Sequence, residues 1–261
     1  MNVYDGNEDF FNLDVRKDRL IFPIKIENRI KKYNNLLPEQ VVKDKVVLDL
    51  ASYLGDAGHW VLSYGAKHYT GVEIQSKFSD ISKKLLSPWG NKVNIINTDL
   101  EVFLNETNIK FDLIICFGVL YAFDNIIDIL KNIFNITNSF ILDSITPLPI
   151  LTGRSPELPM ISIGNQNKPS IISQEYKQSF KGFNHFPSIS YLNEFSIING
   201  FTQFELNAIG ESVDSEILYK GCDEIPRRFY ARYDKTHERT MTLQEKIKNN
   251  NISDLSSEHY K

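Results

Sequence analysis

From residue 23 onward the hydrophobic pattern of the chain switches repeatedly between two periods. Ile24, Ile26, Ile30, Tyr33, Leu36 and Leu37 recur at mixed three- and four-residue spacing, which predicts an amphipathic helix, with Pro23 suited to its start and Pro38 to its end. Residues 45–50, Lys-Val-Val-Leu-Asp-Leu, are a short apolar run rich in β-branched side chains and read as a buried parallel strand. The alternation then repeats. Helices are expected over 56–65, 76–86 and 124–135, with a short one after Asp99; strands are expected over 69–73, 93–97, 111–116 and 140–143. Strands separated by helices require crossover connections, so the pattern predicts an α/β domain with a parallel sheet covered on both faces.

Between Pro147 and Pro187 the pattern dissolves. Pro147, Pro149, Pro156, Pro159, Pro169 and Pro187, with Gly153, Gly164 and Gly182, leave little room for regular elements. A stretch of this length predicts a lid or substrate-binding insertion. Regularity returns with a helix over 188–199, opened by Pro187-Ser188 and closed by Asn199-Gly200, and with strands over 202–208 and 227–233. The expected organisation is an N-terminal helical extension (1–44), a core α/β half (45–146), the insertion (147–187), a closing helix and hairpin of the same domain (188–235) and a polar tail (236–261).

Composition narrows the class. With 42% hydrophobic and 24% charged residues over 261 positions, disorder across most of the chain is excluded. No apolar run approaches the ~20 residues of a membrane span, and the N-terminus lacks a signal-peptide pattern. Cys116 and Cys222 are too few for a disulfide framework or a cysteine-rich zinc site. These features predict a cytoplasmic protein without membrane partners. The net charge of −4 argues against general attraction to nucleic acid. It hides a basic segment: residues 16–45 carry nine Lys or Arg against four Asp or Glu, either a solvated helical face or a phosphate-contacting one.

The chemistry concentrates in residues 46–58, where a strand runs into a turn rich in small residues and then into a helix. Such a turn exposes backbone N–H groups and admits a ligand close to the main chain, at the carboxyl end of the sheet where ligands of doubly wound folds bind. Glu73 closes the second strand, near the spacing of about 20 residues at which an acidic side chain accepts from ribose hydroxyls. A nucleoside-containing cofactor is therefore expected. Ala51 and Tyr53 occupy the zone where a dinucleotide site places glycines, which disfavours NAD and FAD, and no Gly-Lys-Ser/Thr follows for ATP.

Four segments in order, Val47–Gly55, Gly65–Glu73, Asn97–Leu100 and Phe111–Tyr121, resemble the class I S-adenosylmethionine-dependent methyltransferases. The resemblance implies a Rossmann-like, doubly wound, mostly parallel seven-stranded sheet with helices on both faces and an antiparallel last strand. It also implies S-adenosyl-L-methionine as cofactor. Asp49 would orient the turn and the methionine ammonium, Ala51, Ser52, Tyr53 and Gly55 would lie against the cofactor, and Glu73 with Ile74 would hold the ribose end. Asp99 and Leu100 would read the adenine edge, while Phe117 and Gly118 would flank the methionine portion. The family more often has glycine at 51 and 53. On a plainer reading Asp49 and Asp99 are helix caps and Phe117 and Tyr121 are core aromatics.

For the acceptor, an oxygen nucleophile needs a base near its hydroxyl. His185, at the end of the insertion, is the leading candidate, with Asp143 at the end of the fifth strand and Tyr121 as further catalytic candidates. His59 is expected either to touch the cofactor or to lie on a helix surface. Asp124 and Asp143 lack a tight His/Asp ligand spacing, so no metal is expected. The predicted activity is O-methylation of a small polar acceptor, such as a sugar or a phosphorylated metabolite. Two alternatives stand beside it: an RNA methyltransferase using the basic 16–45 segment, and a cofactor-binding subunit without catalysis. Gly118–Tyr121 resembles a branch acting on a wobble uridine of transfer RNA, with Ala122-Phe123 where that branch commonly has histidine after the tyrosine.

Overall fold

A computed structural model describes residues 26–123, 125–146, 161–165, 183–209 and 227–236. In chain order the elements are α1 (Ile26–Leu36), α2 (Glu39–Val42), β1 (Val46–Leu50), α3 (Asp56–Ser63), β2 (His68–Val72), α4 (Ser76–Leu86), β3 (Val93–Ile96), α5 (Leu100–Glu106) and β4 (Leu113–Phe117). Then follow α6 (Ile126–Ile136), β5 (Ser139–Thr146), β6 (Ile161–Asn165), β7 (Phe183–Pro187), α7 (Ile189–Ile198), β8 (Phe201–Ile209) and β9 (Arg227–Lys235). Short 3-10 segments at Ser87–Lys92 and Leu120–Ala122 punctuate the connections.

Seven strands form one sheet in the order β3-β2-β1-β4-β5-β9-β8. The first five are parallel, and β9 runs antiparallel to both β5 and β8. The order reverses between β1 and β4, so the carboxyl ends of these strands open onto the crevice that doubly wound sheets use for ligands. The expected Rossmann-like sheet with its antiparallel last strands is thus present.

The central strands are buried on both sides, because crossover helices cover both faces. On one face Leu48, Leu50, Ile114, Cys116, Phe140 and Leu142 pack under α5, α6 and α7, chiefly through Leu104, Ile129, Ile133 and Leu192. On the other, Val47, Leu113, Ile115 and Ile141 pack under α1, α3 and α4. Helix α1 belongs to this second layer. Tyr33, Leu36 and Leu37 are buried in it, and the Trp60 indole N–H donates to the Leu37 carbonyl at 3.0 Å.

Two differences from the sequence pattern have physical causes. The expected strand over 111–116 starts at Leu113, since Phe111 makes only an isolated bridge to Thr137, while Asp112 is tied to Val46 by its own N–H and by its side chain, which accepts from the Val46 N–H. The insertion is not devoid of regular structure: β6 and β7 pair antiparallel, Ile161 opposite Pro187 and Asn165 opposite Phe183. The five-residue runs Ile161–Asn165 and Phe183–Pro187 are too short to stand out among prolines, and Pro187 is tolerated because it is the last residue of its strand. Strand β7 packs against the Leu120–Ala122 segment and β5, so the ribbon rests beside the carboxyl end of the sheet.

Packing between α3 and the sheet leaves no room at Gly58. A Cβ there would sit 2.5 Å from Tyr69 Cε1 and 2.6 Å from Cζ, and Tyr69 is held in place by its hydroxyl bond to Asp49. Gly58→Ala is therefore expected to destabilise the protein by about 1–3 kcal/mol, against the gain a helix interior ordinarily draws from that change. Urea denaturation with both proteins side by side checks the sign.

Candidate functional site

The turn between β1 and α3 is the centre of the site. Ala51, Tyr53 and Gly55 all adopt left-handed backbone, at φ 59°, 51° and 79°. Alternating left-handed residues fold the chain tightly and turn its amides toward one side. The shape that glycines usually provide is kept although two of the three positions carry side chains. Two contacts hold Tyr53 there: its N–H donates to Glu73 Oε2 at 2.9 Å, and its ring meets Phe78 edge-on at 4.5 Å. Ser52 ties the turn to the next strand through its N–H and the Val72 carbonyl, 2.9 Å apart. Gly55 begins α3 and could not carry a Cβ, which would lie 2.6 Å from Ser82 Oγ.

Two carboxylates face this turn from the strand ends. Asp49 is buried and accepts from the Tyr69 hydroxyl at 2.7 Å. Burial pushes its carboxyl up to about 7, against the opposing pull of that hydroxyl bond and of Lys32. Glu73 is buried too and accepts from Tyr53 and, at 2.8 Å, from the Gln75 N–H; burial also pushes it up to about 7. Beside it Ile74 exposes an apolar side chain, and Asn97 bridges the carbonyls of Glu73 and Ile74 from the end of β3. Asp99 caps α5, its Oδ1 accepting from the Glu101 N–H at 2.7 Å, and Leu100 is buried as the first residue of that helix.

On the far side of the crevice Phe117 ends β4, and Gly118 follows at φ 68° with its N–H on the Asp143 carbonyl, 2.9 Å away. Asp143 is completely buried on β5. Its carboxylate is bonded to the ammonium of Lys32, which reaches in from α1. Tyr33, the next residue, stacks on Phe117 at 6.2 Å and 15°.

The structure thus gathers Asp49, Ala51, Ser52, Tyr53, Gly55, Glu73, Ile74, Asp99, Leu100, Phe117, Gly118 and Asp143 around the carboxyl ends of the strands. Tyr121 lies on the Leu120–Ala122 segment next to β7, the strand that carries His185; the His185 side chain and all of Asp124 lie outside the described residues. His59 is buried on α3 with Trp89 6.2 Å away, so it is not a surface histidine. Tyr33 was not among the sequence candidates, and Lys32 was expected only as part of the basic segment offered to RNA. The only hint was that Lys32 belongs to the basic stretch and directly precedes an apolar position of the helix.

The donors and acceptors suit a nucleoside cofactor bearing positive charge. Two desolvated carboxylates can accept from an ammonium group and from vicinal hydroxyls, a tight turn permits close approach, and the exposed Ile74 offers an apolar wall for a base.

Residues 48–139 match the family model of a methyltransferase domain. No curated protein sequence matches the chain. Among solved structures, the N-terminal domain of EvdMO1, determined in the presence of S-adenosylhomocysteine and D-fucose, is similar at a TM-score of 0.57 and 14% identity, covering 80% of this chain and 82% of that one. The magnesium protoporphyrin IX methyltransferase of Synechocystis PCC 6803 gives 0.56 and 14%, over 88% and 92%. An S-adenosylmethionine-dependent methyltransferase of Mesorhizobium loti gives 0.53 and 14%, over 78% and 96%. At such identities the likeness is one of fold. The matched domain covers 92 of the 261 residues, and the strand order and the crevice are those of the Rossmann-like fold that these methyltransferase structures share.

Left-handed backbone disfavours an L-residue with a Cβ, so Ala51→Gly is expected to raise stability by up to about 1 kcal/mol, read as an increase in Tm. Asp49 and Glu73 both hold a proton more tightly in the folded chain than their ordinary values of 3.8 and 4.5 allow in the unfolded one. Between pH about 4 and about 7 the folded state therefore binds more protons than the unfolded state, and stability falls as pH rises through that window. Asp49→Asn should therefore flatten the slope of Tm against pH in the cofactor-free protein.

Proposed function

We propose that this chain transfers the methyl group of S-adenosylmethionine to a small polar acceptor, with oxygen as the accepting atom. The observation that carries the cofactor half of this reading is the left-handed turn at 51–55 bound to the buried carboxylate of Glu73. In this reading Asp49 takes the methionine ammonium, Glu73 the ribose hydroxyls, and Ile74, Asp99 and Leu100 the adenine. Ala51, Ser52, Tyr53 and Gly55 form the floor, and Phe117 with Gly118 flanks the methionine portion. The bound sulfonium supplies an electrophilic methyl group, so the protein's work is alignment and proton removal.

The acceptor half rests on enclosure. The β6–β7 ribbon lies beside the Leu120–Ala122 segment and β5, the strand that carries Asp143. A compact acceptor with several hydroxyls suits a site bordered by such a ribbon better than a long polymer. His185, on β7, is the group proposed to receive the acceptor's proton, with the buried Asp143 as a substrate contact and Tyr121 as a positioning hydroxyl. The EvdMO1 domain, determined with a sugar present, supports the choice of a hydroxylated acceptor. Lys32 of the basic segment is turned onto Asp143, which removes one of its charges from any RNA-contacting face.

Calorimetric titration of S-adenosylhomocysteine tests the cofactor assignment. Binding is expected to wild type, with at least a tenfold loss on the order of 1.4 kcal/mol in Glu73→Gln, a variant that keeps an acceptor for the Tyr53 N–H. Absence of binding to folded wild type, or unchanged affinity in the variant, would remove the ribose assignment.

A further inference from the structure

On the sheet face that carries Asp49, three adjacent strands place one residue each on a single rung. Phe117 of β4 is in register with Asp143 of β5, and Asp143 with Tyr230 of β9. Residues in register on neighbouring strands point to the same side of the sheet. The ammonium of Lys32 rests on this rung: it donates to Asp143 Oδ2, lies 3.9 Å from the centre of the Phe117 ring and 4.9 Å from that of Tyr230. The Lys32 side chain is only 16% exposed and that of Asp143 not at all.

A buried carboxylate flanked by two aromatic rings is chemically selective. The carboxylate supplies the countercharge that a desolvated cation requires, and the rings supply electron-rich faces that attract a cation without offering strong hydrogen bonds. A neutral ligand would forgo the ion pair that Lys32 makes with Asp143. What fits is an organic cation.

Resting on the cofactor reading above, in which Phe117 flanks the methionine portion, we propose that Phe117, Asp143 and Tyr230 form a cation-binding cage at the methyl-transfer end of the site. Lys32 is its internal occupant in the cofactor-free protein. The ligand in turnover is an organic cation: the sulfonium of the cofactor, or an ammonium group carried by the acceptor. Lys32 then has to yield its place as that ligand enters, and α1 is the element that registers the exchange.

Thermal melting of Lys32→Ala with and without tetramethylammonium chloride, against sodium chloride at equal ionic strength, tests the cage directly. The variant is expected to melt below wild type and to regain several degrees with tetramethylammonium, since a ligand that binds only the folded state raises its stability. Wild type, whose cage is filled, and Lys32→Ala/Asp143→Asn, whose cage has lost its charge, should respond much less. Recovery of a folded Lys32→Ala protein only in the presence of the cation counts equally for the cage. Calorimetry then separates the two sources. If the cage takes the sulfonium, removing Lys32 should raise the ratio of S-adenosylmethionine to S-adenosylhomocysteine affinity by about tenfold, because only the former carries the extra charge. A tetramethylammonium response with an unchanged ratio assigns the cage to an ammonium group on the acceptor. No tetramethylammonium response together with an unchanged ratio overturns the cage. Folded proteins that bind neither nucleoside overturn the cofactor reading, and the melting experiment still decides the cage.

Discussion

The site is organised by carboxyl groups taken out of water. Asp49, Glu73 and Asp143 lie buried on the crevice side of three parallel strands, the first near the end of β1, the second just after β2 and the third within β5, which runs three residues further than the sequence pattern suggested. A buried carboxylate costs free energy unless donors or cations are arranged around it, and the surrounding structure supplies them one by one. Tyr69 donates to Asp49, the backbone of the β1–α3 turn and of Gln75 donates to Glu73, and Lys32 is bonded to Asp143. Each compensation also fixes geometry: the first locks a ring against Gly58, the second fixes the turn, and the third brings α1 onto the sheet.

That third compensation changes how the N-terminal part of the chain is understood. Read as an extension, α1 would be an accessory with a basic face. In the fold its apolar stripe is part of the second core layer, and Lys32 is drawn inward to a partner 111 residues further along the chain. The helix is thus a wall of the crevice. Any ligand entering between Phe117 and Tyr230 would meet it.

The β1–α3 turn shows that backbone shape and residue type are separable. Left-handed conformations at Ala51 and Tyr53 each cost on the order of 1 kcal/mol relative to glycine, and the structure sustains them because Glu73 and Phe78 hold Tyr53 from two sides. A side chain at 53 also gives the turn something glycine cannot: an aromatic edge packed on α4. Strain kept at a ligand crevice and balanced by hydrogen bonds nearby is consistent with a turn whose shape the function requires.

Most of the architecture was legible from local pattern. The change between two-residue and helical periodicity located β1 to β5 and the helices between them to within a few residues, because in a sheet buried on both faces the strands are short apolar runs and the helices are amphipathic. Asp49, the 51–55 turn, Glu73 and Asp99 were legible for the same reason, since each sits at the boundary where one period gives way to the next. The β6–β7 ribbon was not, as five-residue strands among prolines carry too little pattern. Nor was the pairing of Lys32 with Asp143, or the rung that sets Phe117, Asp143 and Tyr230 side by side. Those depend on strand order and register, which place residues far apart in the chain on one face, and no local periodicity encodes which distant residue a buried charge will meet.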